Sequence, residues 1–113
     1  MKKRERHLAI LAQMQQNEEM SKVQNDRRAW VTSYDIARWQ SVAQPHAYRL
    51  LTELYELGLV WREKRQLLLS LITEYTLSPE GREELAKKPM LAAIARETLM
   101  QYKMNRYRKG LMS

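Results

Sequence analysis

Residues 31 to 60 read VTSYDIARWQSVAQPHAYRLLTELYELGLV, and this stretch decides the fold. Thr32 and Ser33 carry hydroxyls that can take up free backbone amides, so a first helix is predicted to open there and run through Tyr34, Asp35, Ile36, Ala37, Arg38 and Trp39. Asp35 in its first turn suits the helix dipole. A second helix is predicted to begin near Gln44, with Pro45 at its first position where a missing amide costs nothing, and to turn Ala47, Leu50, Leu51 and Leu54 inward. Gly58 stands where a left-handed residue ends a helix, and Leu59, Val60 and Trp61 follow as an apolar, β-favouring run. Two helices joined by a turn of three or four residues make a helix-turn-helix unit, whose second helix can lie in a DNA major groove.

The order D-I-A at 35–37, then Val42, then P-x-A-x-R-L-L-x-x-L at 45–54 and G-L-V at 58–60 resembles the core of bacterial winged-helix regulators of the MarR and PadR kind. The stretch EYTLSPEGREEL at 74–85 resembles the strand and helix start that close the wing in those regulators. The resemblance covers roughly 31–85 and rests on order and spacing together. It implies a mainly α fold with a small β-hairpin wing, a winged helix-turn-helix with a long C-terminal helix, and double-stranded DNA as partner. One departure stands in the turn. Where such regulators usually have leucine, glycine and a valine or leucine, this chain has Gln40, Ser41 and Val42. Serine bears a cost at positive φ that glycine does not, and Trp39 is expected to take over the packing that Gln40 cannot supply.

Working outward, Leu8, Leu11 and Met14, with Ile10 and Ala12 beside them, predict a helix from Lys3 to about Gln16 with one apolar face. Residues 17–28 are polar except for Met20 and Val23, and the helix is expected to run on for a turn or two and then fray. Ala29, Trp30 and Val31 are expected to supply a short first strand. After Val60 the run WREKRQLLLSLITEYTL predicts the wing, turning near Lys64 to Gln66 or a little later, with no glycine, proline, asparagine or aspartate to mark its tip. Leu67, Leu68, Leu69 and Leu71 occupy the place where arginines are usual in the family, which weakens wing contact with DNA. They are expected to cover the N-terminal helix or a partner subunit.

Ser78, Pro79, Glu80 and Gly81 predict a capped short helix reaching Lys88, and Pro89 restarts a helix from Met90 to about Lys109. At about 1.5 Å per residue that last helix is roughly 30 Å long, more than a core of this size needs. Its face of Leu91, Ile94, Ala95, Thr98, Leu99 and Tyr102 therefore predicts a two-fold homodimer interface. Lys103, Arg106, Arg108 and Lys109 at its end suit the helix dipole. The organisation expected is 1–28 as N-terminal helix and connection, 29–88 as winged core, and 89–113 as dimerisation helix.

With 113 residues, 44% hydrophobic and 29% charged, the chain fits one modest domain with helical extensions. A net charge of +7 and a pI near 9.9 favour an anionic partner, nucleic acid before a membrane surface. The absence of cysteine excludes disulfides and thiolate zinc sites, and the cytoplasm is the default compartment. No membrane span or signal core is expected. His7 and His46 sit in no metal-ligand spacing, and there is no Gly-rich phosphate loop and no nucleophile with its base, so neither cofactor nor metal nor catalysis is expected.

On the predicted recognition helix, Gln44, His46, Tyr48, Arg49, Thr52 and Glu53 lie opposite the inward leucines. Gln44, His46, Tyr48, Arg49 and Thr52 are the expected base readers, Arg49 suiting a guanine edge and Gln44 an adenine edge. Phosphate contact is expected of Ser33, Arg38, Arg62, Lys64 and Arg65, and also of Lys2, Lys3, Arg4, Arg27 and Arg28. Most of the nine aromatic residues are expected in the core or in an interface, with Tyr48 as the outward exception. The function expected is a dimeric, sequence-specific DNA-binding repressor, with a small-molecule effector left open. A plasmid or phage replication or segregation protein and a protein-interaction module working through the leucine-rich wing are the alternatives.

Overall fold

Seven elements follow one another as α1 (Lys3–Val23), α2 (Ser33–Gln40), α3 (Gln44–Glu56), β1 (Val60–Leu67), β2 (Ser70–Leu77), α4 (Pro79–Ala86) and α5 (Pro89–Met112). The structure, a computed structural model, describes residues 2–23 and 29–112, apart from the side chains of Val23, Leu91 and 106–112. Arg27 and Arg28, and the side chains of Leu91, Arg106, Arg108 and Lys109, lie outside what is described. This is a mainly helical winged helix-turn-helix, with β1 and β2 as the wing and α5 as the long final helix.

α2 begins because Thr32 and Asp35 form a capping box. The Thr32 hydroxyl accepts from the Asp35 amide at 3.3 Å, and the Asp35 carboxylate accepts from the Thr32 amide at 2.9 Å. It ends at Ser41, which takes the left-handed conformation (φ 54, ψ 46), while the Val42 amide donates back to the Ala37 carbonyl at 3.0 Å. The conformational cost expected of a serine in this turn is therefore present. Ser41→Gly is expected to raise stability by about 0.5–1 kcal/mol, read as an increased urea midpoint with an unchanged slope.

α3 has no side-chain cap at its start, but its end is built fully. The Leu59 amide donates to the Leu54 carbonyl and the Gly58 amide to the Tyr55 carbonyl, with Gly58 at φ 75. Ala47, Leu50, Leu51 and Leu54 are buried as the spacing predicts. The chain then ties α3 to α4 through one buried serine. The Ser78 hydroxyl donates to the Gly58 carbonyl at 2.6 Å and accepts from the Gly81 amide at 3.1 Å, and its own amide donates to the Leu59 carbonyl. Gly81 sits so close that an added Cβ would lie 2.1 Å from the Leu59 carbonyl oxygen.

α1 differs from the one-faced helix expected. All eight residues from His7 to Met14 are buried, because α5 covers the side of α1 turned away from the winged core. Ala92, Ala95 and Leu99 of α5 are buried, and Lys103 reaches Asn17 of α1. This corrects the dimer assignment of Ala95 and Leu99, which are covered within the chain. The helix runs about two turns beyond Gln16, to Val23. Gln13, buried in the middle of α1, is accommodated because Gln40 donates to it at 2.6 Å, and Arg6 in turn donates to Gln40. Without that partner the buried amide would cost about 1–3 kcal/mol. Gln40 thus makes a polar tie to α1, while Trp39 packs half-buried on the core.

The expected first strand is reduced to a single bridge. Val31 and Tyr75 exchange two backbone hydrogen bonds, at 2.9 and 2.7 Å, along the base of the wing. β1 and β2 pair from Val60↔Leu77 to Leu67↔Ser70, so the turn falls on Leu68 and Leu69, later than Lys64 to Gln66. Leu68 takes φ 52 there, unusual for a branched side chain. The tip leucines do not cover the N-terminal helix: among the described residues Leu68 and Leu69 are 96% and 99% exposed and Leu71 68%. α4 stops at Ala86, a little short of Lys88.

Candidate nucleic-acid interface

The buried row of Ala47, Leu50, Leu51 and Leu54 fixes the rotation of α3, and what remains outside follows from 3.6 residues per turn. Arg49 and Tyr48 are exposed and Thr52 is half-exposed. Arg49 makes no hydrogen bond or ion pair among the described residues. The Thr52 hydroxyl donates to the Tyr48 carbonyl one turn back, leaving its lone pairs outward. His46 is half-buried at the flank of this face.

Gln44 and Ser33 stand apart from that group. The Gln44 amide donates to the Ser33 hydroxyl at 2.8 Å, joining the starts of α3 and α2. Ser33 is buried, which corrects its assignment to phosphate: the side chain braces the two helices and offers no surface. Gln44 reaches a base edge only by exchanging that bond.

Glu53, a third exposed, is likewise engaged by partners within the protein. It accepts from His7 at 2.8 Å and pairs with Lys3 at 3.1 Å, so it ties α3 to α1 and does not face outward alone. Desolvation pushes its carboxyl up, but the hydrogen bonds and charges of Lys3 and His7 outweigh this and hold it below the ordinary carboxylate value. A lowered value in the folded state means the tie contributes fully above the unfolded value and is lost as pH falls through the folded one. The stability difference between the protein and Glu53→Gln is therefore expected to be largest near neutral pH and to vanish in acid, measured by urea unfolding at about pH 7 and about pH 3.

The wing has two unlike faces, because side chains alternate along a strand and cross-strand partners share a side. Arg62, Lys64 and Gln66 pair with Tyr75, Thr73 and Leu71 on the face turned toward α3. There the Arg62 guanidinium lies 3.9 Å from the centroid of the Tyr55 ring, locking wing to helix. Glu63, Arg65, Glu74 and Ile72 share the other face, where Arg65 approaches Glu74 at 3.7 Å. Of the wing cations expected to meet phosphate, Arg62 and Lys64 thus stand beside α3, and Arg65 stands across the strand from them. Arg38 is half-exposed and paired with Asp35. Lys2, Lys3 and Arg4 are exposed at the start of the chain, Lys3 being engaged with Glu53.

Tyr48 is not the sole outward aromatic. Tyr34, Tyr55 and Trp61 are exposed too. Tyr55 lies seven residues after Tyr48, two turns on along the same face, and that spacing could have revealed it. Beneath them the Tyr75 hydroxyl is buried; burial first, and Tyr48 second, push it above its ordinary value. Among the described residues no three His, Cys, Asp or Glu side chains gather to hold a metal, and no helix is long and apolar enough to cross a membrane. A cleft of about 500 Å³ opens between α1 and the end of α3, with Lys3, Arg4 and His7 among its polar residues and Leu8, Leu11, Leu57 and Leu59 as its apolar lining.

Comparison with known proteins gives little to set beside this geometry. No protein-family model matches the chain, and no curated protein matches it. Among solved structures it is similar to a MepR mutant from a multidrug-resistant S. aureus clinical isolate, at 19% identity and a TM-score of 0.49, over 89% of this chain and 72% of that one. At that level the likeness carries no weight for what this chain binds.

Proposed function

We propose that this protein binds double-stranded DNA sequence-specifically and regulates transcription as a homodimer, repressing by occlusion. The observation that carries the reading is the outward face of α3, where an unpartnered Arg49 stands with Tyr48 and Thr52 over a buried leucine floor and beside the cationic face of the wing. A helix so anchored can enter a major groove while Arg62 and Lys64 meet the adjacent phosphates. The charge of +7 supports an anionic partner. Dimerisation is assigned to the rim of α5 left uncovered by α1, where Met90 and Ile94 are 80% and 60% exposed. Thr98, also exposed, and Tyr102, half-buried, adjoin that rim. Two recognition helices would then meet successive major grooves about 34 Å apart on a pseudo-palindromic site.

Selection of bound duplexes from a random pool, followed by titration at rising salt, tests this directly. The expected result is one enriched inverted repeat, retained at salt concentrations that abolish binding to random duplex. Loss of all duplexes together, with no enriched sequence, would refute base readout and favour an interaction module working through the wing leucines.

A further inference from the structure

We propose that the tip of the wing is an apolar wedge, and that Leu68 and Leu69 enter the minor groove of the bound duplex, part a base step and bend the DNA. This rests on the DNA-binding reading above and adds to it a mechanical action.

The wing is a lever with an unusual end. Eight paired residues per strand make a ribbon about 26 Å long, and on β1 only Val60, at its base, is buried. Four leucines crowd the far end, two of them almost wholly bare, where none of the described residues covers them. Each bare leucine forgoes the burial a leucine side chain normally gains, so a surface that receives them is favoured. The stem selects that surface by charge. Its α3-facing side carries Arg62 and Lys64 with Thr73, Gln66 and Tyr75 and no carboxylate; the acids Glu63 and Glu74 lie on the opposite side. The cationic side is continuous, through the Arg62–Tyr55 stack, with the exposed face of α3.

A duplex seated on α3 and on that side of the stem has its phosphates at Arg62 and Lys64. Its neighbouring minor groove then lies toward the tip. Leucine is among the side chains that wedge between base steps and kink DNA by about 20–90°, at an unstacking cost that added contact offsets. An apolar tip thus answers a need that the family's wing arginines would not.

The test uses the full chain and Leu68→Ser/Leu69→Ser, both positions being exposed enough that a melting curve should show an unchanged fold. A selected duplex with a donor and an acceptor dye at its two ends reports the bend by energy transfer. The expected result is a bent complex with the natural chain and a nearly straight one with the double variant, still bound through α3. Equal bending by both would overturn the wedge and leave DNA reading intact. Failure of the natural chain to bind any duplex would sink both together. Leucine-dependent binding to phosphatidylglycerol vesicles, or a leucine-dependent shift in dimer mass without DNA bending, would assign the tip to a lipid surface or a second copy and overturn the wedge as well.

Discussion

Replacing Gly81 with alanine is expected to destabilise the protein by about 3 kcal/mol and to lower its melting midpoint by roughly 15 °C. The reason is a collision. A methyl group at this position would stand 2.1 Å from the Leu59 carbonyl oxygen, and that oxygen belongs to backbone that cannot swing aside as a long side chain can. The same carbonyl accepts from the Ser78 amide, and the Gly81 amide donates to the Ser78 hydroxyl, so any shift breaks the cap of α4 and loosens the end of α3. Gly58→Ala provides the contrast. A methyl there meets nothing within 4 Å, and the cost is the left-handed backbone alone, about 1 kcal/mol. Thermal melts of the two variants should differ by a wide margin; equal losses would show that the junction yields.

Arg49→Ala is expected to weaken binding to a selected duplex by about 5–150-fold, corresponding to 1–3 kcal/mol, with a much smaller effect on random duplex. Arg49 occupies the outermost part of α3 with no internal partner to lose, so the substitution should leave the fold unchanged. Lys64→Ala should behave differently. It removes a stem cation, so it should weaken all duplexes alike and reduce the salt dependence by about one charge. Fluorescence anisotropy at two salt concentrations separates the two patterns. Equal loss on selected and random sequence with Arg49→Ala would remove this residue from base readout.

The helix-turn-helix was legible because its signals are local. Thr32, Pro45, the inward leucines and Gly58 each act within a few residues, and each sits where a cap, a first turn, a core or a stop requires it. The strain at Ser41 was legible for the same reason. What stayed hidden depends on distant partners. Ser33 looked like a surface hydroxyl until Gln44 turned to it, and Glu53 looked outward until Lys3 and His7 reached it across α1. Ala95 and Leu99 share a helical face with Ile94 and Thr98, and spacing alone gives no way to tell which edge α1 covers. The wing turn, a little later than Lys64 to Gln66, was legible only loosely because no residue in it favours a tight turn. Its position is set at the other end of the ribbon, by the buried pair Val60 and Leu77.

The burial of all sides of the middle of α1, His7 to Met14, has a kinetic side. Its inner surface closes only when α2, β2 and α4 have formed, and its outer surface only when α5, which starts at Pro89, arrives. Contacts of such long separation in sequence form late and slow the search. Until α5 has docked, the side of α1 that it covers lies open to water. During refolding, that open side is where aggregation is expected to begin.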